Sequence, residues 1–274
     1  MTNRRPTIGV FDSGVGGLTV LKALLELVPH ADYLYFGDTA RLPYGSKSAE
    51  TVARYALGAS DYLQQHGTEM LVIACNTATA LALPQITQAS RVPVVGVVEP
   101  GAEQASAASK NRKVVVIGTE ATVSSHAYQR ALKERGVEAR EKACPLLVPL
   151  VEEGWIDHPV TEQVARIYLE EAFADGYASA DVLVLGCTHY PLLKPLLHRV
   201  APKHVTIVDS AHSTAQSVAG QLQAAPIPTP DDPERRAHPR LKFFATDSVE
   251  KFKRLGARFL GLPIDDVQHV DLKE

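Results

Sequence analysis

Cysteine is scarce in this chain, with only three among 274 residues. No two of them form a C-x-x-C pair, so a structural zinc site would need a scattered ligand set instead of the usual regular spacing. Three cysteines are also a poor basis for a disulfide framework in a chain of this size. We therefore expect free thiols in a reducing compartment, where a thiol serves either packing or reactivity.

Long apolar runs and an excess of positive charge are also missing. The sequence has no run of about 18 consecutive apolar residues, which is the length needed to cross a membrane, and its first residues carry no apolar export signal. The formal net charge is −3 without a strongly basic run, which argues against nucleic acid as the main ligand. Hydrophobic residues make up 45% and charged residues 22%, as in ordinary globular proteins. The sequence predicts a cytoplasmic protein without membrane contact.

Short β-branched runs alternate with amphipathic helical patterns along nearly the whole chain. Most of these runs are continuously apolar, as expected of strands that are covered on both faces. The alternation predicts an α/β fold built on parallel sheets. The predicted strands are Thr7–Phe11, Tyr33–Phe36, Met70–Ala74, Val94–Val98, Lys113–Ile117, Asp181–Gly186, Val205–Val208 and Leu241–Ala245.

The two halves of the chain are similar to each other. In each half an apolar run feeds a glycine-containing polar turn, and a later apolar run ends at a cysteine. Cys75 ends the run Met70–Ala74, and Cys187 ends the run Val182–Gly186. Duplication would give two homologous α/β lobes, whereas chance similarity between buried strands is the simpler alternative. A cysteine followed by polar capping residues in both halves favours duplication.

Both cysteines stand where an apolar strand ends and a helix is about to begin. Ligands of open α/β sheets bind at this edge, and the polar residues that follow can cap the helix and hold a carboxylate. A single cysteine in this position is most simply a small buried side chain. Two of them, at equivalent positions in facing lobes, favour racemisation. In that reaction one group removes a proton from one face and another delivers a proton to the other.

A thiol needs help to act as a base at neutral pH, because its ordinary pKa is roughly 8.5 and burial raises it. Asp12, at the end of the first strand, is placed to exchange a proton with one thiol. His189, two residues beyond Cys187, is placed to do so with the other. The alternatives are that Asp12 is only a turn residue and that His189 is only a capping side chain.

The glycine-rich segment Asp12–Gly17 invites a dinucleotide-binding interpretation, with Asp38 near the ribose. The fit is poor, because the third glycine of the G-x-G-x-x-G motif would fall on Thr19. Asp12 would also place negative charge next to the pyrophosphate. We expect these glycines to let the backbone approach a small ligand closely.

Three other features receive simple interpretations. Pro43-Tyr44-Gly45 follows a predicted strand and either lines the cleft or forms an ordinary turn. Cys144 lacks the strand-to-helix setting and is predicted to be structural. The proline-rich stretch 225–240 is predicted to be a surface loop. No lysine stands out as the partner of a pyridoxal phosphate Schiff base.

The motifs together closely resemble those of the bacterial glutamate racemases, within the aspartate/glutamate racemase superfamily. They extend from the first strand to residue 191, about two thirds of the chain, and are highly specific as a set. The matching stretches are Phe11-Asp12-Ser13-Gly14-Val15-Gly16-Gly17, Gly37-Asp38-Thr39-Ala40-Arg41-Leu42-Pro43-Tyr44-Gly45, Ala74-Cys75-Asn76-Thr77-Ala78-Thr79 and Leu185-Gly186-Cys187-Thr188-His189-Tyr190-Pro191.

The resemblance implies a role for each matching residue. Cys75 and Cys187 would be the two proton-transfer residues, with Asp12 assisting Cys75. Glu152 and His189 would assist Cys187, and Glu152 enters through the resemblance alone. The implied substrate contacts are Asp12, Ser13, Tyr44, Gly45, Asn76, Thr77, Thr119, Thr122, Thr188 and His189. The resemblance also implies a homodimer that makes D-glutamate for peptidoglycan.

The sequence therefore predicts two pseudo-symmetric lobes, 1–98 with 210–274 and 99–209, with glutamate bound in the cleft between them. We predict racemisation of glutamate without a cofactor or a metal ion. Racemisation of aspartate is an alternative within the same class, and a two-lobe anion-binding module with incidental thiols is an alternative outside it. A single-cysteine decarboxylase or amide hydrolase would leave the second thiol unexplained.

Overall fold

The computed structural model describes residues 5–224 and 239–272. Within these ranges the chain forms ten β-strands in two parallel sheets, with α-helices packed against them. The predicted α/β fold class is confirmed. None of the helices described there is long and apolar enough to span a membrane. Of the predicted proline-rich loop, residues 225–238 lie outside the described residues.

Strands and helices alternate along the chain. The strands are β1 (Thr7–Asp12), β2 (Asp32–Gly37), β3 (Met70–Ile73), β4 (Val94–Gly96), β5 (Lys113–Gly118), β6 (Glu138–Ala143), β7 (Val182–Gly186), β8 (Thr206–Asp209), β9 (Leu241–Ala245) and β10 (Val267–His269). The α-helices are α1 (Leu18–Leu27), α2 (Ala49–Gln65), α3 (Asn76–Ala89), α4 (Val98–Ala108), α5 (Glu120–Ser124), α6 (Ala127–Glu134), α7 (Leu147–Glu152), α8 (Pro159–Ala172), α9 (Lys194–Val200), α10 (Ser210–Ala224) and α11 (Val249–Leu260). Short 3-10 helices cover Thr39–Arg41, Tyr44–Ser46 and Tyr190–Leu193.

The two sheets repeat one strand order. The six-stranded sheet runs β10-β9-β2-β1-β3-β4, and the four-stranded sheet runs β6-β5-β7-β8. The series β2-β1-β3-β4 therefore corresponds to β6-β5-β7-β8, so that β1 matches β5 and β3 matches β7. A duplicated α/β unit would produce this match, which supports two pseudo-symmetric lobes. The residue boundaries given above for the lobes stay a prediction.

Helices cover both faces of each sheet, and the strand residues show it by their packing. The side chains of Val114 and Val116 on β5 belong to one buried cluster, while those of Val115 and Ile117 belong to another. Successive side chains of a strand point to opposite faces, so both faces of β5 are buried. From Val114 to Ile117 the strand is therefore apolar without interruption, which is the pattern that predicted a covered parallel sheet.

All eight predicted strands are present, and two further strands were missed. The missed strands are β6, with the sequence Glu-Ala-Arg-Glu-Lys-Ala, and β10, with Val-Gln-His. Both lie at the edge of a sheet, where polar side chains reach water and the apolar signal is weak. The prediction for the fourth strand was two residues too long, because the backbone turns after Gly96 and Val98 already begins α4.

The strand registers bring the ends of neighbouring strands to one level. Phe11 of β1 pairs with Ile73 of β3, so Asp12 and Cys75 emerge from the same edge of the six-stranded sheet. Gly118 of β5 pairs with Gly186 of β7, and Cys187 follows directly. The carboxyl edges of the two sheets face each other across a cleft, and the candidate residues lie there.

Candidate active site

Cys75 is held at the junction between β3 and α3. It is the residue that caps α3, and its sulfur accepts a hydrogen bond from the backbone N–H of Ala78 at 3.4 Å. The Sγ atom also donates to Ser13 Oγ at 3.6 Å. Only 5% of Cys75 is exposed. These contacts fix the thiol at the start of a helix, where the helix dipole favours negative charge.

Cys187 is held at the equivalent junction of the other sheet, after β7. It is 6% exposed, and Thr188 and His189 follow it before the short helix at Tyr190–Leu193. Both Thr188 and His189 are buried. The hydroxyl of Thr19 on α1 donates to the Thr188 carbonyl at 3.2 Å, which ties this turn to the first sheet.

One cavity of about 460 Å³ contains both thiols. Eleven of the predicted site residues line it, and they come from loops of both sheets. Those eleven are Ser13, Tyr44, Gly45, Cys75, Asn76, Thr77, Thr119, Glu152, Cys187, Thr188 and His189. Asp12 and Thr122 do not line the cavity. Pro43 also lines the cavity, which was one of the two alternatives for Pro43-Tyr44-Gly45. The prediction missed seven lining residues: Leu42, Ser46, Glu120, Pro145, Val148, Pro149 and Lys251.

Asp12 lies behind the cavity wall as a buried carboxyl group. Its Oδ2 atom accepts the backbone N–H of Gly14 at 2.9 Å. Its Oδ1 atom finds no hydrogen-bond partner within residues 5–224 and 239–272. Burial raises the pKa of Asp12, and the charge of His189 and nearby backbone N–H groups offset only part of that rise. Burial and then the charge of Asp12 raise the pKa of Cys75 to about 12.

His189 forms an ion pair with Glu152 on the other side of the cavity. The Nε2 atom lies 3.3 Å from Glu152 Oε1, and Lys251 Nζ lies 3.2 Å from Glu152 Oε2. Burial lowers the pKa of His189, but hydrogen bonds to Cys187 and Glu152 outweigh it and raise the pKa to about 10. The hydrogen bond from His189, together with Lys251, lowers the pKa of Glu152 to about 2 against opposing burial. These contacts with Cys187 and Glu152 favour the protonated form of His189.

Lys251 is a site residue for which the sequence offered no local signal. It lies on α11, two residues before Lys253, which instead pairs with Glu250 on the same helix. Both lysines belong to an ordinary amphipathic helix pattern. Only the packing of α11 against the segment that carries Glu152 distinguishes Lys251 from Lys253.

Three threonine hydroxyls form a closed triangle at one end of the cavity. Thr77 Oγ1 lies 2.9 Å from Thr119 Oγ1 and 3.1 Å from Thr122 Oγ1, and the last two are 2.9 Å apart. Thr77 belongs to α3 beside the first sheet, whereas Thr119 and Thr122 follow β5 in the second. Thr122 is buried beneath the other two and supports them from outside the cavity.

The segment around Tyr44 lines the cleft, and it is not an isolated turn. The Tyr44 hydroxyl donates to Asp38 Oδ2 at 2.6 Å. Asp38 also accepts from Arg41 at 2.9 Å and from Thr246 at 2.8 Å, so its carboxylate is a structural acceptor and not a ribose ligand. Because its hydroxyl is occupied, Tyr44 presents ring and backbone to the cavity.

The glycine-rich loop after β1 packs against protein side chains, which differs from the expected approach to a ligand. A Cβ atom at Gly16 would lie 2.2 Å from Thr188 Oγ1 and 2.5 Å from His189 Nδ1. At Gly17 it would lie 2.5 Å from the Asp12 Cβ atom. None of these glycines lines the cavity. Gly16 lets the loop approach the turn after Cys187, and Gly17 lets it fold back over Asp12; a side chain at either position would collide.

Most of the chain matches one known protein family. The model of the Asp/Glu/hydantoin racemase family matches residues 8–218. The chain belongs to this family. The matched range includes both cavity cysteines, whereas α11 with Lys251 lies beyond it.

Relatives in this racemase family match nearly the full chain. A glutamate racemase from Koribacter versatilis is 60% identical and covers 99% of both chains. A crystal structure of a glutamate racemase isoform from Bacillus anthracis is 38% identical with a TM-score of 0.90, covering 97% of this chain and 98% of its own. The Francisella tularensis glutamate racemase, solved in complex with D-glutamate, is 32% identical with a TM-score of 0.89 and covers 99% of both chains.

We expect the His189→Asn variant of this racemase-family chain to lose less stability at alkaline pH than the wild type. The pKa of His189 is raised from 6.5 to about 10. Its protonated form therefore stabilises the fold fully below pH 6.5, and this contribution is lost as the pH rises through 10. Glu152, with its pKa lowered from 4.5 to about 2, contributes above pH 4.5 and stops contributing as the pH falls through 2.

Thermal unfolding at pH 6 and at pH 9.5 measures this difference. The fall in Tm between the two pH values should be larger for the wild type than for His189→Asn. His158→Asn is the matched control, because His158 caps α8 outside the cavity and asparagine can also cap. Equal falls for the wild type and the His189 variant would contradict the raised pKa of His189.

Proposed function

We propose that this chain interconverts L- and D-glutamate by transferring the α-proton between two thiols, without a cofactor. The observation that carries the proposal is that Cys75 and Cys187, from the strand ends of separate sheets, line one cavity. A two-base racemase needs one proton-transfer group on each face of a planar intermediate. The glutamate racemases among the relatives support glutamate as the substrate.

On the Cys75 side, Asp12 first accepts the thiol proton. The resulting thiolate removes the α-proton of the enantiomer that faces it, which leaves the electron pair of the broken C–H bond on a carbanion-like intermediate. A thiol with a pKa near 12 is almost entirely protonated at neutral pH, so it needs this assistance. Burial raises the pKa of Asp12 toward that of the thiol, which makes the transfer less unfavourable.

On the Cys187 side, the thiol protonates the intermediate from the opposite face, and the configuration at Cα is inverted. His189 interacts with Cys187 and lies 3.3 Å from Glu152, so it stabilises the sulfur when the sulfur carries negative charge. The reverse reaction uses the same groups in exchanged roles. Cys75, Cys187, Asp12, Glu152 and His189 are therefore the proposed catalytic set.

The substrate carboxylates are proposed to lie against the polar wall of the cavity. Cys75 caps α3, so the N–H groups of its first turn and the Thr77 and Thr119 hydroxyls are suited to an anion. Ser13, the Gly45 backbone, Asn76 and Thr188 complete the proposed contacts. The complex of the Francisella tularensis relative with D-glutamate supports a ligand of this size and charge.

The biological setting is proposed from the family resemblance alone. We infer that the chain acts in the cytoplasm as a homodimer and supplies D-glutamate for peptidoglycan. The lobes are proposed to divide at 1–98 with 210–274 and 99–209, since the strands of the two sheets come from these ranges. Gel filtration of the purified chain tests the dimer separately from the reaction.

Purified protein, stripped of pyridoxal phosphate and metal ions, is expected to convert L-glutamate into an equal mixture of the L and D enantiomers. Circular dichroism of the substrate should decay to zero, and deuterium from D₂O should appear at Cα, because each inversion returns a proton from an exchangeable thiol. L-aspartate under the same conditions is the control for substrate choice. Faster turnover of aspartate than of glutamate would make aspartate the substrate. Binding of either amino acid without exchange of its α-proton would mean that the chain is an anion-binding module and not a racemase.

A further inference from the structure

Tyr128 on α6 is a buried side chain that contacts both thiol-bearing junctions. Its hydroxyl donates to Asn76 Oδ1 at 2.7 Å, and Asn76 directly follows Cys75. Its ring lies against Gly186, which directly precedes Cys187, since a Cβ atom at Gly186 would be only 3.1 Å from Tyr128 Cε2. The side chain is 0% exposed and does not line the cavity.

The amide of Asn76 has one unused hydrogen-bonding group. Asn76 is 2% exposed and lines the cavity, and its Oδ1 atom is turned toward Tyr128. Its Nδ2 atom is buried and finds no hydrogen-bond partner in the described part of the chain. A buried amide donor without a partner is unfavourable, so this one is suited to an acceptor that arrives in the cavity.

The Tyr128 hydroxyl sets the orientation of the amide. It donates to Asn76, so the atom facing it is the acceptor Oδ1, and the Nδ2 group is left as the free donor.

We infer that Tyr128 is a positioning residue, which fixes the Asn76 amide so that Nδ2 donates to a carboxylate of the bound substrate. The inference rests on the proposed function, because it takes glutamate as the ligand. Tyr128 itself touches no substrate atom. Its hydroxyl acts through Asn76, so its removal weakens substrate binding and leaves the thiols in place.

The experiment compares steady-state kinetics of the wild type and Tyr128→Phe, which keeps the ring and removes only the hydroxyl. KM for both glutamate enantiomers is expected to rise about 3- to 10-fold, the effect of one neutral hydrogen bond, with kcat changed less than about 2-fold. Tyr33→Phe is the matched control, since Tyr33 is equally buried and donates to Leu24 and Val28 away from the cavity. Its KM should not change.

A double-mutant cycle with Asn76→Ala separates positioning from general packing. In the Asn76→Ala background, Tyr128→Phe is expected to change kcat/KM by less than about 2-fold, because its route to the substrate is gone. An undiminished effect in that background, or an unchanged KM for Tyr128→Phe, would overturn the inference. If the wild type racemises glutamate, either of these results overturns only the role of Tyr128 and leaves the proposed function intact. If the wild type does not racemise glutamate, the proposed function itself is wrong.

Discussion

Replacing Cys75 or Cys187 with serine is expected to slow glutamate racemisation by about 10³-fold or more, within the range for loss of a general acid or base. A serine hydroxyl has nearly the size of the thiol but is a far weaker acid, so it neither ionises nor gives up its proton at a useful rate. Each variant keeps one working thiol. That remaining thiol can still remove and return a proton on its own face of Cα.

Proton NMR in D₂O measures this remaining reaction. Each variant is expected to exchange the α-proton of one enantiomer with retention of configuration. The two variants should act on opposite enantiomers, since the two thiols serve opposite faces. Circular dichroism records the loss of racemisation in the same samples.

The third cysteine provides the control. Cys144 is fully buried, donates to the Lys142 carbonyl and lies outside the cavity lining. Cys144→Ser should racemise glutamate within about 2-fold of the wild-type rate, as expected of a conservative change away from the reacting atoms. Exchange of the same enantiomer by both cavity variants would contradict the two-face mechanism, as would substantial racemisation by either one.

Replacing Asp12 with asparagine is expected to lower kcat/KM for glutamate by about 10²- to 10³-fold. Asparagine keeps the shape and can still accept the Gly14 N–H, but it cannot take up the thiol proton. Loss of the Asp12 charge also removes one cause of the raised pKa of Cys75. The effect of losing the proton acceptor should outweigh this gain, because the thiol remains buried.

The kinetic isotope effect distinguishes a role in proton transfer from a packing role. The ratio of the kcat/KM values for L- and D-glutamate does not, because the enantiomers have equal free energies in water and both values must fall by the same factor in any variant. The kinetic isotope effect with α-deuterated glutamate should increase as proton abstraction becomes fully rate-limiting. Asp32→Asn is the control, since Asp32 accepts the Arg240 N–H at the opposite end of β2. An unchanged isotope effect in Asp12→Asn would assign Asp12 a structural role only.

The fold was predictable wherever burial leaves a strong pattern in the sequence. Strands such as β5 are covered on both faces and apolar from their second residue onward, so their signal is local. The edge strand β6 has no such signal, because its polar side chains reach water and only its pairing with β5 defines it. Only the order of the strands in the two sheets shows that β6 is the counterpart of β2.

The candidate site was predictable where chemistry depends on a residue's position in a strand. Cys75, Cys187 and Asp12 each follow an apolar strand, and parallel strands bring such residues to one edge. Lys251 and Tyr128 have no comparable signal. Tyr128 has the appearance of an ordinary core residue, and its contact with Asn76 connects positions 52 residues apart in the chain.

By itself the amino-acid sequence determined the α/β class, the repeated strand-to-cysteine units and the chemical identity of the two thiols, because these depend on residue type and short spacing. Only the tertiary structure decided that both thiols share one cavity, that His189 lies against Cys187 and Glu152, and that Gly16 packs against the turn after Cys187. Such properties arise from distances between segments far apart in the chain and from the exclusion of water around them. No local pattern of residues specifies either.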